Sequence, residues 1–177
     1  MYNNLHIGKN APKEVNILTE IPMNSGPVKY EFNKKYGVME VDRFLNTPMQ
    51  YPANYGFIPH TLSEDGDPLD ALVYTTYPLA MNTLITAKPI GVLMTEDEKG
   101  KDEKILLVPA NSVDSYFSEI NCYTSLPKAI ISSIEHFFSR YKDLEIGKWV
   151  KVNGWGNQVT AHNIINKAVA RCKKAEG

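Results

Sequence analysis

The sequence predicts an α+β fold in which an antiparallel β-barrel or sheet is covered on its outside by helices. Segments with the period-2 alternation of strands occupy residues 15–108, and helical spacing of apolar residues appears only after residue 127. Alternating βαβ units, which would predict a parallel sheet, are not visible. At 177 residues the chain has the size of one domain, and we expect a single domain over residues 1–177.

The strands of the predicted sheet come from separate parts of the chain. Apolar and polar residues alternate over residues 15–21, which is typical of a half-buried strand. Further strands are predicted over residues 71–74, 83–94 and 104–108. A charged turn at residues 99–100 would join the last two of these strands.

A β-hairpin is predicted over residues 28–45, because extended segments flank a group of turn residues at 33–37. A turn centred on Lys35 would set Lys29 opposite Val41. Three charged side chains would then share one face of the hairpin: Lys29, Glu31 and Arg43.

Two helices are predicted near the end of the chain. The first begins at Pro127, a residue favoured in a first turn, and the second begins at about Val159. The first helix carries an apolar stripe that ends at Tyr141, and His136 lies opposite that stripe. One side of the second helix is also apolar, with Ala161, Ile164, Ile165, Ala168 and Cys172.

Composition excludes several classes of protein. Lys and Arg total 19 against 20 Asp and Glu, and this balance argues against a protein that binds nucleic acid through a basic excess. A chain with 43% apolar and 22% charged residues is neither disordered nor fibrous. Two cysteines without CxxC spacing, a polar segment at residues 1–13 and the lack of a membrane-length apolar run predict a cytoplasmic protein with no membrane contact.

The densest chemical feature is the run from Asp65 to Asp70, Asp-Gly-Asp-Pro-Leu-Asp, which leads into an apolar segment. Three carboxylates so close together repel one another unless cations neutralise them, and all-oxygen ligands suit Mg²⁺ or Mn²⁺. A solvated turn rich in aspartate explains the same run equally simply. An EF-hand is excluded, because Thr76 stands where its last ligand, a glutamate, would be.

A second acidic group surrounds the predicted turn at residues 99–100, and cations are dispersed along the chain. Ordinary structural features would account for each part of this pattern: a charged hairpin tip, a solvent-exposed hairpin face and a lysine at a helix C-terminus. A substrate with dense negative charge would need both sets, carboxylates for metal ions and cations for phosphates. Phosphate-binding loops, dinucleotide fingerprints, zinc-protease motifs and serine nucleophile elbows are absent from the sequence.

The chain resembles the soluble family I inorganic pyrophosphatases in their compact bacterial form. The signature is the run from Asp65 to Ala71, and the resemblance extends over about residues 20–155. The other matching segments are Glu20, Lys29-Tyr30-Glu31, Val41-Asp42-Arg43, Tyr51-Pro52, Asn54-Tyr55-Gly56, Asp97, Asp102, Lys104, His136-Phe137-Phe138 and Tyr141-Lys142.

The resemblance implies an OB-like five-stranded antiparallel β-barrel with flanking helices, assembled as a homohexamer. It implies hydrolysis of pyrophosphate to two orthophosphates with several Mg²⁺ ions, for which Mn²⁺ or Zn²⁺ would substitute. Arg140 stands where some bacterial members have a histidine, and this difference concerns subunit contacts.

The resemblance also implies a role for each site residue. Asp65, Asp70 and Asp102 would hold one metal ion, Asp70 would help to hold a second, and Asp97 with Asp102, and Glu31, would bind the ions that arrive with substrate. Asp67 would be the general base and Glu20 would act from behind the residues that touch substrate. The phosphate-holding residues would be Lys29, Arg43, Tyr55, Lys104, Tyr141 and Lys142, with Tyr55 also in the catalytic set.

Two other functions compete with this one. An OB-like module could bind single-stranded nucleic acid by stacking bases on its tyrosines, although the basic excess of such proteins is missing. An acidic scaffold could bind divalent ions without turning over any substrate. The matching positions spread along the chain favour the enzyme.

Overall fold

The computed structural model describes residues 5–176, so residues 1–4 and 177 of the predicted domain, including the start of the polar N-terminal segment, lie outside the described residues. Two sheets and two α-helices make up the described part. The strands are β1 Val15–Ile21, β2 Val28–Asn33, β3 Val38–Phe44, β4 Asn54–Phe57, β5 Asp70–Val73, β6 Thr83–Asp97, β7 Gly100–Lys101, β8 Lys104–Pro109 and β9 Val150–Asn157. The helices are α1 Lys128–Arg140 and α2 Gln158–Glu176, and two short 3₁₀ helices cover Ser115–Phe117 and Tyr123–Ser125.

The larger sheet has seven strands and the α+β class is confirmed. Its pairings run from β1 to β4, β5, β8 and β6, and β6 also pairs with β1, β7 and β9. Strand β6 spans 15 residues and is almost wholly buried, because it pairs along different parts of its length with several neighbours.

The expectation of a wholly antiparallel sheet is wrong at one pairing. β5 and β8 run parallel, with Asp70 opposite Lys104 and Val73 opposite Leu107. β6 lies between these strands in the sequence and pairs antiparallel with β8, so β8 returns in the direction of β5. This pairing sets Lys104 directly beside an aspartate of the acidic run.

The predicted hairpin is confirmed as β2 and β3, but its predicted register is wrong. Lys29 pairs with Arg43, and Tyr30 pairs with Val41. The register shifts between Lys29 and Tyr30, which is the mark of a β-bulge that adds one residue to β3. A pattern of alternation alone does not reveal a single added residue.

Helices α1 and α2 pack against different parts of the larger sheet. α1 buries Ile134, Phe137 and Phe138, and Pro127 directly precedes it, as the sequence predicts. α2 buries Ala161, Ile165 and Ala168 in a second apolar cluster. No helix within residues 5–176 combines the length and apolar character needed to cross a membrane.

The helices are separated by β9, so the expectation that helices simply follow the strands is incomplete. β9 pairs with β6, with Val152 opposite Thr95 and Trp155 opposite Leu93. Asp97 is at the end of the long β6, and it thereby lies between the short strand β7 and the start of β9.

Candidate active site

One cavity of about 210 Å³ is lined by every side chain that the sequence analysis singled out. These thirteen residues come from seven strands, the acidic run, the end of α1 and the turns between them. They are Glu20, Lys29, Glu31, Arg43, Tyr55, Asp65, Asp67, Asp70, Asp97, Asp102, Lys104, Tyr141 and Lys142. The structure brings them together, while their individual roles stay predictions.

Asp65 and Asp67 lie on an exposed turn between β4 and β5. Gly66 between them has a φ of 92°, a left-handed conformation that favours glycine. The Asp67 backbone N–H donates to Asp65 Oδ1 at 3.1 Å. Partial burial, the nearby Asp67 and then Asp102 raise the pKa of Asp65 above its ordinary value. The turn therefore concentrates negative charge at the mouth of the cavity.

Lys104 binds two carboxylates of the cavity at once. Its Nζ lies 2.7 Å from Asp70 Oδ2 and 2.9 Å from Asp102 Oδ1, and Lys104 itself is buried. Burial by itself would lower the pKa of Lys104, but Asp102 and Asp70 raise it well above its ordinary value. The lysine is consequently a fixed positive charge inside the site.

Asp70 and Asp102 respond differently to this shared lysine. Burial raises the pKa of Asp70, and the charge of Asp102 adds to this shift. Burial would also raise the pKa of Asp102, but the charges of Lys104 and Lys142 hold it below the ordinary value. Asp70 also accepts a hydrogen bond from the Tyr55 hydroxyl at 2.6 Å.

A second buried ion pair joins Asp97 to Lys142. Lys142 Nζ lies 2.8 Å from Asp97 Oδ2 and 3.6 Å from Glu98 Oε1. Asp97 ends β6 and Lys142 follows α1, so this pair ties the helix end to the sheet. Asp97 Oδ1 also accepts a hydrogen bond from the Lys99 backbone N–H at 2.8 Å.

The hairpin contributes a chain of alternating charges along one wall. Lys29 contacts Glu31 and lies 3.2 Å from Asp42 Oδ2. Arg43 lies 2.6 Å from the same Asp42 oxygen and 3.1 Å from Glu145 Oε2. Burial would lower the pKa of Lys29, but Glu31 and Asp42 raise it above its ordinary value.

Glu20 lies behind this wall and is 7% exposed. Its Oε1 accepts a hydrogen bond from the Phe32 backbone N–H at 2.7 Å. Burial, together with the charges of Asp70 and Glu31, raises the pKa of Glu20 to about 8 despite this hydrogen bond. Glu20 is therefore mostly protonated at neutral pH in this state of the cavity.

Tyr55 and Tyr141 present their hydroxyls from a shared aromatic cluster. Tyr141 stacks on Phe137 with ring centroids 5.3 Å apart, and the Tyr55 ring lies 6.4 Å from that of Phe138. Burial is the largest cause that raises the pKa of each tyrosine above its ordinary value. Both hydroxyls therefore remain hydrogen-bond donors at neutral pH.

The donor set of the cavity fits hard divalent ions. Its carboxylates supply only oxygen ligands, and the repulsion that Asp65 and Asp70 each feel from Asp102 is what a divalent ion relieves. No group of three or more His, Cys, Asp or Glu side chains within residues 5–176 is already arranged as a ligand set. Lys104 and Lys142 instead hold three of the carboxylates.

Four charged residues that the sequence analysis left without a role also line the cavity. They are Lys34, Glu98, Lys99 and Lys148. Glu98 and Lys99 belong to the charged turn, whose acidic character was visible in the sequence. No pattern in the sequence marks Lys34 or Lys148. Lys34 reaches the cavity only because the hairpin folds, and Lys148 only because of the path of the segment before β9.

The sequence model of the family described as inorganic pyrophosphatase matches residues 17–173. The chain belongs to the inorganic pyrophosphatase family. As a member it is an inorganic diphosphatase, an enzyme of the phosphoanhydride hydrolase class. The matched residues include all thirteen predicted site residues.

Relatives in the inorganic pyrophosphatase family match nearly the whole chain. The inorganic pyrophosphatase of Brucella melitensis biotype 1 is 51% identical over 169 residues, which cover 96% of each chain. That of Pseudomonas aeruginosa is 50% identical over 173 residues, which cover 98% of this chain and 99% of the relative.

Solved structures of bacterial relatives share the fold. An enzyme from Anaplasma phagocytophilum, described as an inorganic phosphatase, superposes with a TM-score of 0.94 at 48% identity, covering 96% of this chain and 99% of the other. The inorganic pyrophosphatase from Thermus thermophilus gives a TM-score of 0.91 at 42% identity, covering 96% and 97% of the two chains.

Proposed function

We propose that this pyrophosphatase hydrolyses pyrophosphate to two orthophosphates with Mg²⁺, and that Asp67 is the general base for the attacking water. The state of Asp67 supports this assignment. Its side chain is exposed in the cavity, and none of residues 5–176 donates a hydrogen bond to its carboxylate. Asp70, Asp97 and Asp102 are each bound to a lysine instead.

Five carboxylates would hold the metal ions. Asp65, Asp70 and Asp102 would hold the first ion, and Asp70 would help to hold a second. Of the ions that accompany substrate, Asp97 and Asp102 would together hold one, and Glu31 would hold another. Bound divalent ions supply a water of lowered pKa and neutralise charge on the phosphates, and Mn²⁺ or Zn²⁺ would substitute for Mg²⁺. Lys104 and Lys142 would exchange some of their contacts with these carboxylates for contacts with phosphate oxygens.

The cationic residues would hold the two phosphates of the substrate. Lys29 and Arg43 line the part of the cavity that the hairpin forms, while Lys104 and Lys142 are more deeply buried. Tyr55 and Tyr141 add hydroxyl donors of raised pKa. Fixed cations matter here because negative charge grows on the leaving phosphate in the transition state.

The reaction forms one bond and breaks one. The water oxygen attacks one phosphorus while its proton passes to the Asp67 carboxylate. The bond from that phosphorus to the bridging oxygen breaks, and the electron pair leaves with the second phosphate, next to the cationic side chains. Glu20, buried behind the hairpin wall, would act on the side chains that face the substrate and not on the substrate itself.

The finer predictions about architecture are also part of this proposal. The ring of pairings from β1 through β4, β5, β8 and β6 back to β1 supports an OB-like five-stranded barrel within one domain over residues 1–177. Two free cysteines support a cytoplasmic location.

A homohexamer is proposed as the assembly, and exposed apolar side chains at Phe44, Tyr77 and Ile146 support the presence of subunit contacts. Sedimentation of the full chain should give a mass roughly six times that of one chain, whereas a monomer would contradict the assembly.

Substrate choice tests the proposed activity. Phosphate release should be measured from pyrophosphate, from ATP and from a phosphomonoester, each with Mg²⁺. We expect rapid release from pyrophosphate and far slower release from the other two. Equal rates on the three substrates would indicate a general phosphatase and would overturn the proposal.

A further inference from the structure

The residues from Ile58 to Leu69, here called the aspartate loop, carry both Asp65 and Asp67. Thr61 closes the base of this loop. Its hydroxyl donates to the Ile58 carbonyl at 2.6 Å and accepts from the Leu69 backbone N–H at 2.9 Å. Ile58 and Leu69 also bond directly, from the Ile58 N–H to the Leu69 carbonyl at 3.0 Å. Thr61 is 2% exposed, so water does not replace these contacts.

The aspartate loop is also tied to α2, far from the cavity. The Leu62 backbone N–H donates to the Ala168 carbonyl at 3.0 Å. Arg171 Nε donates to the Leu62 carbonyl at 2.7 Å. Both the backbone N–H and the carbonyl of Leu62 are thus held by the C-terminal half of α2, which lies more than 100 residues later in the chain.

The position of Asp65 and Asp67 depends on these contacts because their own turn is exposed. Within the loop, the Ser63 N–H bonds the Asp67 carbonyl at 2.7 Å, so Ser63 links the turn to its neighbour Leu62. A displacement of Leu62 therefore moves the two aspartates together. Displacements near 1 Å in a catalytic constellation cost about a hundredfold in rate.

We infer that Arg171 and Thr61 are positioning residues for the aspartate loop, and that α2 takes part in catalysis by fixing where Asp65 and Asp67 stand. The inference deepens the proposed function and rests on it. Arg171 lies outside the residues that line the cavity, so it acts through Leu62 and not on substrate.

Variants of Arg171 separate this role from general stability. Mg²⁺ affinity should be measured by titration calorimetry on folded Arg171→Ala, Arg171→Lys and, as a control, Lys167→Ala. Lys167 is exposed on the same helix, and its substitution by Ala removes one positive charge, as Arg171→Ala does. We expect Arg171→Ala to bind Mg²⁺ roughly ten times more weakly than wild type, by analogy with partners that orient metal ligands. Arg171→Lys, which still donates, should recover part of the loss, and Lys167→Ala should match wild type.

Variants of Thr61 test the base of the loop. Thr61→Ser keeps the hydroxyl, whereas Thr61→Val keeps the shape and removes it. We expect wild-type Mg²⁺ affinity and kcat/KM for Thr61→Ser, and a loss of roughly tenfold or more in both for folded Thr61→Val.

The outcomes distinguish the two claims. Equal Mg²⁺ affinity in wild type, Arg171→Ala and Thr61→Val would overturn the positioning role, even if the variants melt at lower temperature. A wild-type enzyme that releases no phosphate from pyrophosphate, while Arg171→Ala still weakens Mg²⁺ binding, would overturn the proposed function and leave the positioning role standing.

Discussion

Asp67 differs from three other aspartates of the cavity, Asp70, Asp97 and Asp102, in what surrounds its carboxylate. Lysines bind Asp70, Asp97 and Asp102 within 3 Å, whereas within residues 5–176 Asp67 receives no such contact. A carboxylate that is not bound to a lysine is free to accept a hydrogen bond from water, the contact through which a general base acts. This difference supports the proposal that Asp67 is the base.

Substitution of Asp67 by Asn should reduce kcat for pyrophosphate by about a hundredfold or more, because a carboxamide cannot accept the proton. Initial rates of phosphate release would measure this. Glu64→Gln is the matched control, since Glu64 lies on the same loop, is exposed and does not line the cavity. An Asp67→Asn enzyme with the wild-type rate would show that another group is the base.

Glu20 predicts an unusual pH dependence of stability in the metal-free enzyme. Its pKa is about 8 in the folded protein against 4.5 ordinarily, so the folded state binds more protons between these values. The stability that this provides is complete below pH 4.5 and is lost as pH rises through 8, in total a few kcal/mol at about 1.4 kcal/mol per pKa unit.

Urea unfolding with a chelator at pH 5 to 8 would measure this effect. Glu20→Gln should flatten the fall in unfolding free energy across that range, while Glu64→Gln should keep it. Parallel profiles for wild type and Glu20→Gln would contradict the account of Glu20.

Residue types close in sequence made part of the site predictable. The run from Asp65 to Asp70 can be recognised in the sequence as a candidate metal site, because carboxylates at that density need cations. The raised pKa of Glu20 could not be predicted, because its largest cause is burial, which only the folded chain provides. Lys148 was equally invisible, since the fold alone brings it to the cavity.

At the scale of elements, β1 and β4 approach so closely that only glycine fits at one position. A Cβ atom on Gly56 would lie 2.0 Å from the Leu18 carbonyl oxygen, a backbone atom that cannot move aside alone. Gly56 lies next to Tyr55, so this approach also sets the position of a site hydroxyl.

Gly56→Ala should therefore lower the free energy of unfolding by about 3 kcal/mol, since overpacked cores lose stability of this order. It should also reduce activity through Tyr55. Gly26→Ala is the control, because a Cβ there meets nothing within 4 Å. Thermal or urea unfolding compares the two, and equal stability would contradict the close approach of β1 and β4.

The elements that depend on local pattern were predictable, and the pairings between distant strands were not. α1 shows its apolar stripe in the sequence, and the hairpin shows its turn. The register of the hairpin depends on a bulge, and the parallel pairing of β5 with β8 depends on the path of β6. β9 was not predicted, because it forms a strand by pairing with β6, which lies some 60 residues earlier in the chain.

For the molecule as a whole, a net charge of −1 conceals a dense cluster of charges of both signs. Eight carboxylates and seven cations line one cavity. The near-neutral balance of the chain is repeated inside this cavity, where Lys104 pairs with Asp70 and Asp102 and Lys142 pairs with Asp97.

The proposed function requires that carboxylates of this cavity bind Mg²⁺ for the hydrolysis of pyrophosphate. Phosphate release should be measured on the full chain after treatment with a chelator, and again after Mg²⁺ is restored in excess. The account predicts no release without the ion and full recovery with it. Undiminished hydrolysis of pyrophosphate in the chelated enzyme would contradict it.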